Sequence, residues 1–318
     1  MDNTNITISA TPHIRSGESI QSIMRDVIIA LLPATVMGIV YFRLKALMLI
    51  VISIAAAVIA EAVYQKGTKQ KVTISDLSAV VTGLLLAMNI PASAPWWVPI
   101  VGSVFAIVIV KQLFGGLGQN FVNPALAGRA FLLASYPSIM TNWVTPGADA
   151  VSTATPLALL KAGNVADLPS ITDAFLGNIG GTIGETCALA LIIGGIYLIW
   201  RGVISWRMPV IYIATVFVLT AIIGRNGVRM PVYELFVGGL MLGAFFMATD
   251  YATSPITPTG QIIMAVGCGL LTTLIRIFGG YPEGVSYSIL IMNLCVPLIE
   301  RFTKPTIFGA LPKEAKKA

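Results

Sequence analysis

Residues 27–64 read VIIALLPATVMGIVYFRLKALMLIVISIAAAVIAEAVY, and only Arg43, Lys45 and Glu61 among them carry charge. About 20 mostly apolar residues suffice to cross the hydrocarbon core of a bilayer. The stretch is therefore too long for one crossing, and the basic pair at 43 and 45 divides it into two, 27–42 and 45–64. Apolar runs separated by polar or Gly/Pro punctuation continue through the chain at 77–90, 97–113, 123–136, 184–200, 209–224, 233–249, 261–278 and 285–300. The runs at 77–90 and 123–136 are short enough for half-helices or re-entrant pieces. The expectation is an all-α polytopic membrane protein with about ten transmembrane helices.

Composition agrees. Of the 318 residues, 56% are hydrophobic and 11% charged, against about 25% charged in an ordinary soluble domain. Mean hydropathy is +0.85. These values exclude a soluble enzyme, a coiled coil and a disulfide scaffold. The net charge of +6 does not point to nucleic acid, because the basic residues do not gather with aromatics on a polar surface. Cys187, Cys268 and Cys295 stand singly in apolar runs, so neither a disulfide framework nor an iron–sulfur site can be built from them. Redox chemistry on this chain needs an organic cofactor.

The polar residues 1–26 lack the apolar core and cleavage site of a signal peptide, and the first span is expected to act as an uncleaved insertion signal. The expected organisation is a cytoplasmic segment at 1–26, a transmembrane domain at 27–300 and a basic cytoplasmic tail at 301–318. Threaded from an inside N-terminus, the ten spans put thirteen Lys and Arg inside, five outside and two in or at the ends of spans. That asymmetry satisfies the positive-inside rule. Both termini then face the cytoplasm, and the long connection at 137–181 faces the exterior. Its scattered Trp143, Leu157, Leu159, Leu160, Phe175 and Leu176 predict a folded loop.

The two halves echo each other. Gly83-Leu-Leu-Leu-Ala-Met88 precedes a Pro-rich hairpin, a long span and Lys111-Gln-Leu-Phe-Gly-Gly116. Gly239-Leu-Met-Leu-Gly243 precedes a Pro-rich hairpin, a long span and Arg276-Ile-Phe-Gly-Gly280. Five spans per half is an odd number, so such a repeat runs in opposite directions across the membrane, the pattern of transporter-like folds.

Three groups of residues could carry chemistry. Phe114-Gly-Gly-Leu-Gly-Gln-Asn-Phe-Val-Asn-Pro124 enters a short helix with Asn123 as N-cap and Pro124 in the first turn. It reads more readily as a structural turn than as an anion-binding loop, for it lacks the Lys-Ser/Thr of a P-loop. Asp149-Ala-Val-Ser-Thr-Ala-Thr-Pro156 reads on composition as a capped turn, with Thr155 and Pro156 opening a helix at 156–162. Glu61, Asp250 and Glu300 are acids in or at the ends of spans, where charge is costly and tends to mark ion or proton paths. Each also has a plain reading: a partner on a neighbouring helix, a turn cap and an interfacial helix end.

Together, Thr11-Pro-His-Ile-Arg15, Arg25-Asp-Val-Ile-Ile-Ala-Leu-Leu-Pro-Ala34, the 114–125 stretch, Met247-Ala-Thr-Asp-Tyr-Ala-Thr-Ser-Pro255 with Thr257-Pro-Thr-Gly260, and Gly280-Tyr-Pro-Glu-Gly-Val-Ser286 resemble the D subunits of Rnf ion-translocating oxidoreductase complexes. Those subunits are similar to the B subunits of sodium-translocating NADH:quinone reductases. The resemblance runs from about 11 to 302. It implies FMN joined through its phosphate to the last threonine of an exterior motif, here Thr155, with Asp149, Ser152, Thr153 and Pro156 around it. Ala150 and Thr153 stand where the family often has glycine, and Thr153 adds a competing hydroxyl. It also implies a second, non-covalent flavin, riboflavin, for which Asn120, Asn123 and Arg129 are candidate contacts.

The function so implied is a membrane subunit relaying electrons between ferredoxin and NAD, with Glu61, Asp250 and Glu300 in a Na⁺ or H⁺ path. The nicotinamide reaction belongs to another subunit, for no NADH site is recognisable. The implied partners are the other subunits, a flavin transferase and the lipid of a prokaryotic inner membrane. The alternative from the repeat and the intramembrane acids alone is a permease acting by itself.

Overall fold

A computed structural model describes residues 18–146, 154–224, 229–280 and 283–304. Its secondary structure there is helical apart from an isolated bridge between Pro91 and Thr182 and a bridge residue at Val144. Among the described residues three helices are long and apolar enough to cross a membrane: α1 (Ile20–Gly67), α12 (Pro258–Phe278) and α13 (Val285–Phe302). Shorter apolar helices are α2 (Ser78–Met88), α3 (Trp97–Val104, extended by a π turn to Gln112), α8 (Ala188–Trp200) and α9 (Arg207–Ile223). Between these lie α4 (Pro124–Ser135), α5 (Pro137–Met140), α6 (Pro156–Ala162), α7 (Ile171–Leu176), α10 (Pro231–Phe236) and the single turn α11 (Leu240–Leu242). The apolar run expected at 233–249 is thus broken: α10 ends before Val237, Gly238 has φ +73, and a π turn at Gly243–Met247 follows α11.

Helix α1 opens at Ser19, which exchanges capping bonds with Ser22. It is interrupted at Arg43, whose φ of 54° and ψ of −141° lie outside the helical region. The chain doubles back there. Ile23, Met24 and Val27 line the same cavity as Ser78 and Lys111, and Lys111 in turn holds Glu61 near the far end of α1. The part of α1 before Arg43 runs antiparallel to α8, with Asp26 bonded to Tyr197 and Arg201, Ala30 on Gly194 and Gly38 on Ile183. Gly194 is required there, since a Cβ would come within 2.0 Å of the Ala30 carbonyl oxygen. After Arg43, α1 packs antiparallel to α2 and parallel to α3. Ser53 Oγ donates to the Gly83 carbonyl at 2.7 Å and lies 3.1 Å from Ser103 Oγ. Gly83 brings the backbones of α1 and α2 together, as its Cβ would lie 2.8 Å from Ile54 Cα.

On the other side of the molecule α9, α12 and α13 meet around three buried hydroxyls. Tyr212 lies 2.6 Å from Thr272, and Thr272 lies 2.7 Å from Ser288. The two sides join through asparagines. Asn123 donates to the Met247 carbonyl at 3.3 Å. The Asn293 amide, oriented to satisfy both its atoms, accepts from the Asn123 N–H at 3.0 Å and donates to the Thr253 carbonyl at 3.1 Å. One apolar core cluster runs through α1, α2, α4, α8, α9, α12 and α13.

Candidate functional site

Helix α4 stands between two cavities. Asn123 caps it, accepting from the Ala125 and Leu126 amides at 3.0 and 3.2 Å, with Pro124 in the first turn. Asn123, Pro124 and Ala125 face one cavity, of about 90 Å³. Arg129, Ala130 and Leu133 face the other, of about 460 Å³. A rise of 1.5 Å per residue separates Ala125 from Arg129 by about 6 Å along the axis.

The larger cavity contains Thr155 in its wall, with Arg129, Trp143, Glu283 and Tyr287. Thr155 is the N-cap of α6, its hydroxyl accepting from the Ala158 amide at 3.2 Å, and Pro156 occupies the first turn. Lys161, at the other end of α6, donates to the carbonyls of Gly279 and Gly280. Those two bonds tie α6 to the end of α12. Asp149, Ser152 and Thr153 lie outside the described residues.

Behind this wall is a buried ion cluster. Arg129 Nη1 donates to Glu185 Oε1 and to Asn89 Oδ1, each at 2.8 Å, and Arg129 Nη2 donates to Glu283. The side chains of Arg129 and Glu185 are 6% and 2% exposed, that of Glu283 16%. Arg276 sits next to the cluster and is held by carbonyls. Its Nε donates to Glu283 O, Nη1 to Glu234 O and Nη2 to Val237 O, while Glu234 Oε2 lies 3.8 Å away. Placing cations this deep is costly unless each donor finds an acceptor, and here the packing supplies them.

The smaller cavity carries Lys111, Asn120, Thr249 and Asp250 in its wall. Lys111 Nζ donates to both oxygens of Glu61, at 3.0 and 2.9 Å, and to Ser78 Oγ at 2.6 Å. Gln112 and Gln65 add bonds to Glu61 at 2.9 and 3.3 Å. Glu61 therefore directs both its oxygens to neighbouring side chains. Asp250 accepts from the Thr253 hydroxyl at 3.1 Å. Burial pushes its carboxyl above the usual carboxylate range, while the Thr253 and Ala252 donors and Lys111 pull it down. Glu300 stands apart and accepts from the Ile256 amide at 3.3 Å. Asn120 donates to the Val122 carbonyl at 3.1 Å, closing its own loop.

The larger cavity fits a flavin in size, since ligand pockets run from about 300 to about 1,000 Å³, and it offers a hydroxyl and a guanidinium to a phosphate. The smaller one falls short of that range; Lys111, Asn120, Thr249 and Asp250 are polar groups in a wall that is otherwise mostly apolar.

Five polar residues of these sites, Glu185, Glu283, Lys111, Asn89 and Glu234, are not among the candidates that the sequence motifs single out. Glu185 and Glu234 lie in apolar runs, and the cost of intramembrane charge that marks Glu61 applies to them equally. Glu283 falls within Gly280–Ser286, where nothing local assigns it a role.

The model of the NQR2, RnfD, RnfE family matches residues 7–309. The chain is 58% identical to the D subunit of the Na⁺-translocating ferredoxin:NAD⁺ oxidoreductase complex of Acetobacterium woodii, covering 99% of this chain and 100% of that one. It is 48% identical to the D subunit of the proton-translocating ferredoxin:NAD⁺ oxidoreductase complex of Clostridium ljungdahlii, over 95% and 96% of the two chains. Identity to the D subunit of the ion-translocating oxidoreductase complex of Citrobacter koseri is 35%, over 95% and 98%.

Proposed function

Because the chain belongs to the NQR2, RnfD, RnfE family, we propose that it relays electrons through an FMN joined by its phosphate to Thr155, and that it lends the cavity beside Asp250 to an ion path. It is a membrane subunit of an ion-translocating electron-transport complex, as its similarity to D subunits over nearly the whole chain shows. The electrons run between ferredoxin and NAD, with the nicotinamide step on another subunit.

The observation that carries the flavin reading is that Thr155 and Arg129 share one wall of a cavity of about 460 Å³. A flavin supplies one- and two-electron chemistry that no side chain here provides. The residues of this chain hold and shield it: Thr155 gives the point of attachment, Arg129 a cation for negative charge, and Trp143 and Tyr287 aromatic surface. The division of basic residues supports an inner-membrane protein with both termini in the cytoplasm and this cavity toward the exterior. The reversal at Arg43 supports counting residues 27–64 as two of ten spans, and the ten spans divide into two inverted halves by the echo of Gly83–Gly116 in Gly239–Gly280.

The ion reading rests on Asp250 and Lys111 facing one small, mostly apolar cavity at the opposite end of α4. The relatives' names give Na⁺ for one and protons for another, so ion choice varies within the family at these identities. A flavin fluorescence band on a denaturing gel tests the flavin reading, followed by the mass of the peptide covering 137–181. Loss of the band in Thr155→Val with retention in Thr153→Val is expected. An unchanged band in Thr155→Val overturns the assignment.

A further inference from the structure

We propose that Glu283 is an internal stand-in for the phosphoryl ligand of Arg129: it holds the cavity-facing arm of the guanidinium and is the group a phosphate oxygen must displace. This rests on the flavin reading for the identity of the ligand, and deepens it by naming the residue that sets the site's preference for a phosphate.

The two arms of Arg129 are unlike. Nη1 is locked at 2.8 Å to both Glu185 and Asn89, and these two partners are buried in the protein. Nη2 is bonded to Glu283, which lines the cavity and is the more exposed of the two carboxylates. Glu185 and Asn89 therefore fix where the guanidinium points, while Glu283 occupies its open face. A guanidinium N–H donates alike to a carboxylate or a phosphate oxygen, so the two anions compete for the one arm that Glu283 holds. Glu283 can withdraw without unmaking the fold nearby, because Arg276 holds its backbone carbonyl, not its carboxylate. Gly284, with φ +71, follows it as the N-cap of α13.

The test uses the full chain in detergent, produced without a flavin transferase so that no flavin is attached. FMN binding is read by fluorescence quenching, with riboflavin as the phosphate-free control and inorganic phosphate as competitor. Glu283→Gln is expected to bind FMN about tenfold tighter, the effect of releasing one charge-assisted contact, with riboflavin affinity unchanged and phosphate competing more strongly. Glu283→Asp, whose shorter reach loosens the same contact, should shift FMN in the same direction. FMN affinity that stays the same or weakens in both variants while riboflavin still binds overturns the proposal, and so does an equal gain for riboflavin. The gel band of the chain from its native complex is independent of these measurements. Its absence alongside the Glu283 effect removes the covalent flavin and leaves the stand-in role of Glu283. Its presence without that effect removes the stand-in role alone.

Discussion

Lys111 and Glu61 form an ion pair at 2.9 Å with side chains only 2% and 1% exposed. Removing one partner of a buried pair leaves the other charged and unpaired, at a cost of about 3–5 kcal/mol. Lys111→Met and Glu61→Gln should each lower thermal stability in detergent sharply. The double variant should recover much of the loss, since both charges leave together. Equal melting temperatures for wild type and the single variants would contradict a pair that matters.

Thr155 caps α6 and is the proposed flavin anchor, and a single substitution can separate the two. As N-cap it accepts from the Ala158 amide, a contact a serine also makes. Thr155→Ser should keep α6 and still carry a phosphoester, whereas Thr155→Val should lose the flavin band and cost about 1 kcal/mol in the cap. Gel fluorescence and thermal melting on the same preparations check both effects.

The Asp250 carboxyl is held above its ordinary range by burial, so it keeps its proton to higher pH than an exposed aspartate. A protonated Asp250 attracts no cation. Ion-coupled turnover of the complex should therefore fall as pH drops through that raised range. Asp250→Asn should lower turnover by about tenfold, the equivalent of ~1.4 kcal/mol, and abolish this acid limb while leaving flavin attachment intact. A pH profile unaltered by the substitution would remove Asp250 from the ion path.

Glu300 makes a different prediction. Its carboxylate receives the Ile256 amide, and a glutamine oxygen accepts the same bond. Glu300→Gln should leave turnover within about twofold of wild type if that bond is its work. A loss as large as that of Asp250→Asn would place Glu300 in the ion path.

Gly194 and Gly67 form a matched pair of tests. A Cβ at Gly194 would meet the Ala30 carbonyl oxygen at 2.0 Å, while one at Gly67 meets nothing within 4 Å. Gly194→Ala should destabilise by about 1–3 kcal/mol through overpacking of α1 on α8. Gly67→Ala, at an exposed helix end, should be neutral or slightly stabilising. Melting temperatures in detergent distinguish them.

The 27–64 stretch alone identified a membrane protein, because apolar length is a property of consecutive residues and needs no partner. Helix openings were legible for the same reason. Asn123 with Pro124 and Thr155 with Pro156 cap α4 and α6 at the positions their local chemistry predicts. The site was less legible. Glu61 finds Lys111 50 residues away, Arg129 finds Glu185 56 away and Glu283 154 away. Which charge meets which depends on the order and tilt of packed helices, and local sequence carries no record of either. The reversal at Arg43 and the close approach at Gly194 bring those helices together. Only the tertiary structure decided that Glu61 is neutralised by a neighbour, that Asp250 faces a cavity, and that Thr155 and Arg129 share another. The physical reason is that a charge removed from water must be answered by whatever the packing places beside it.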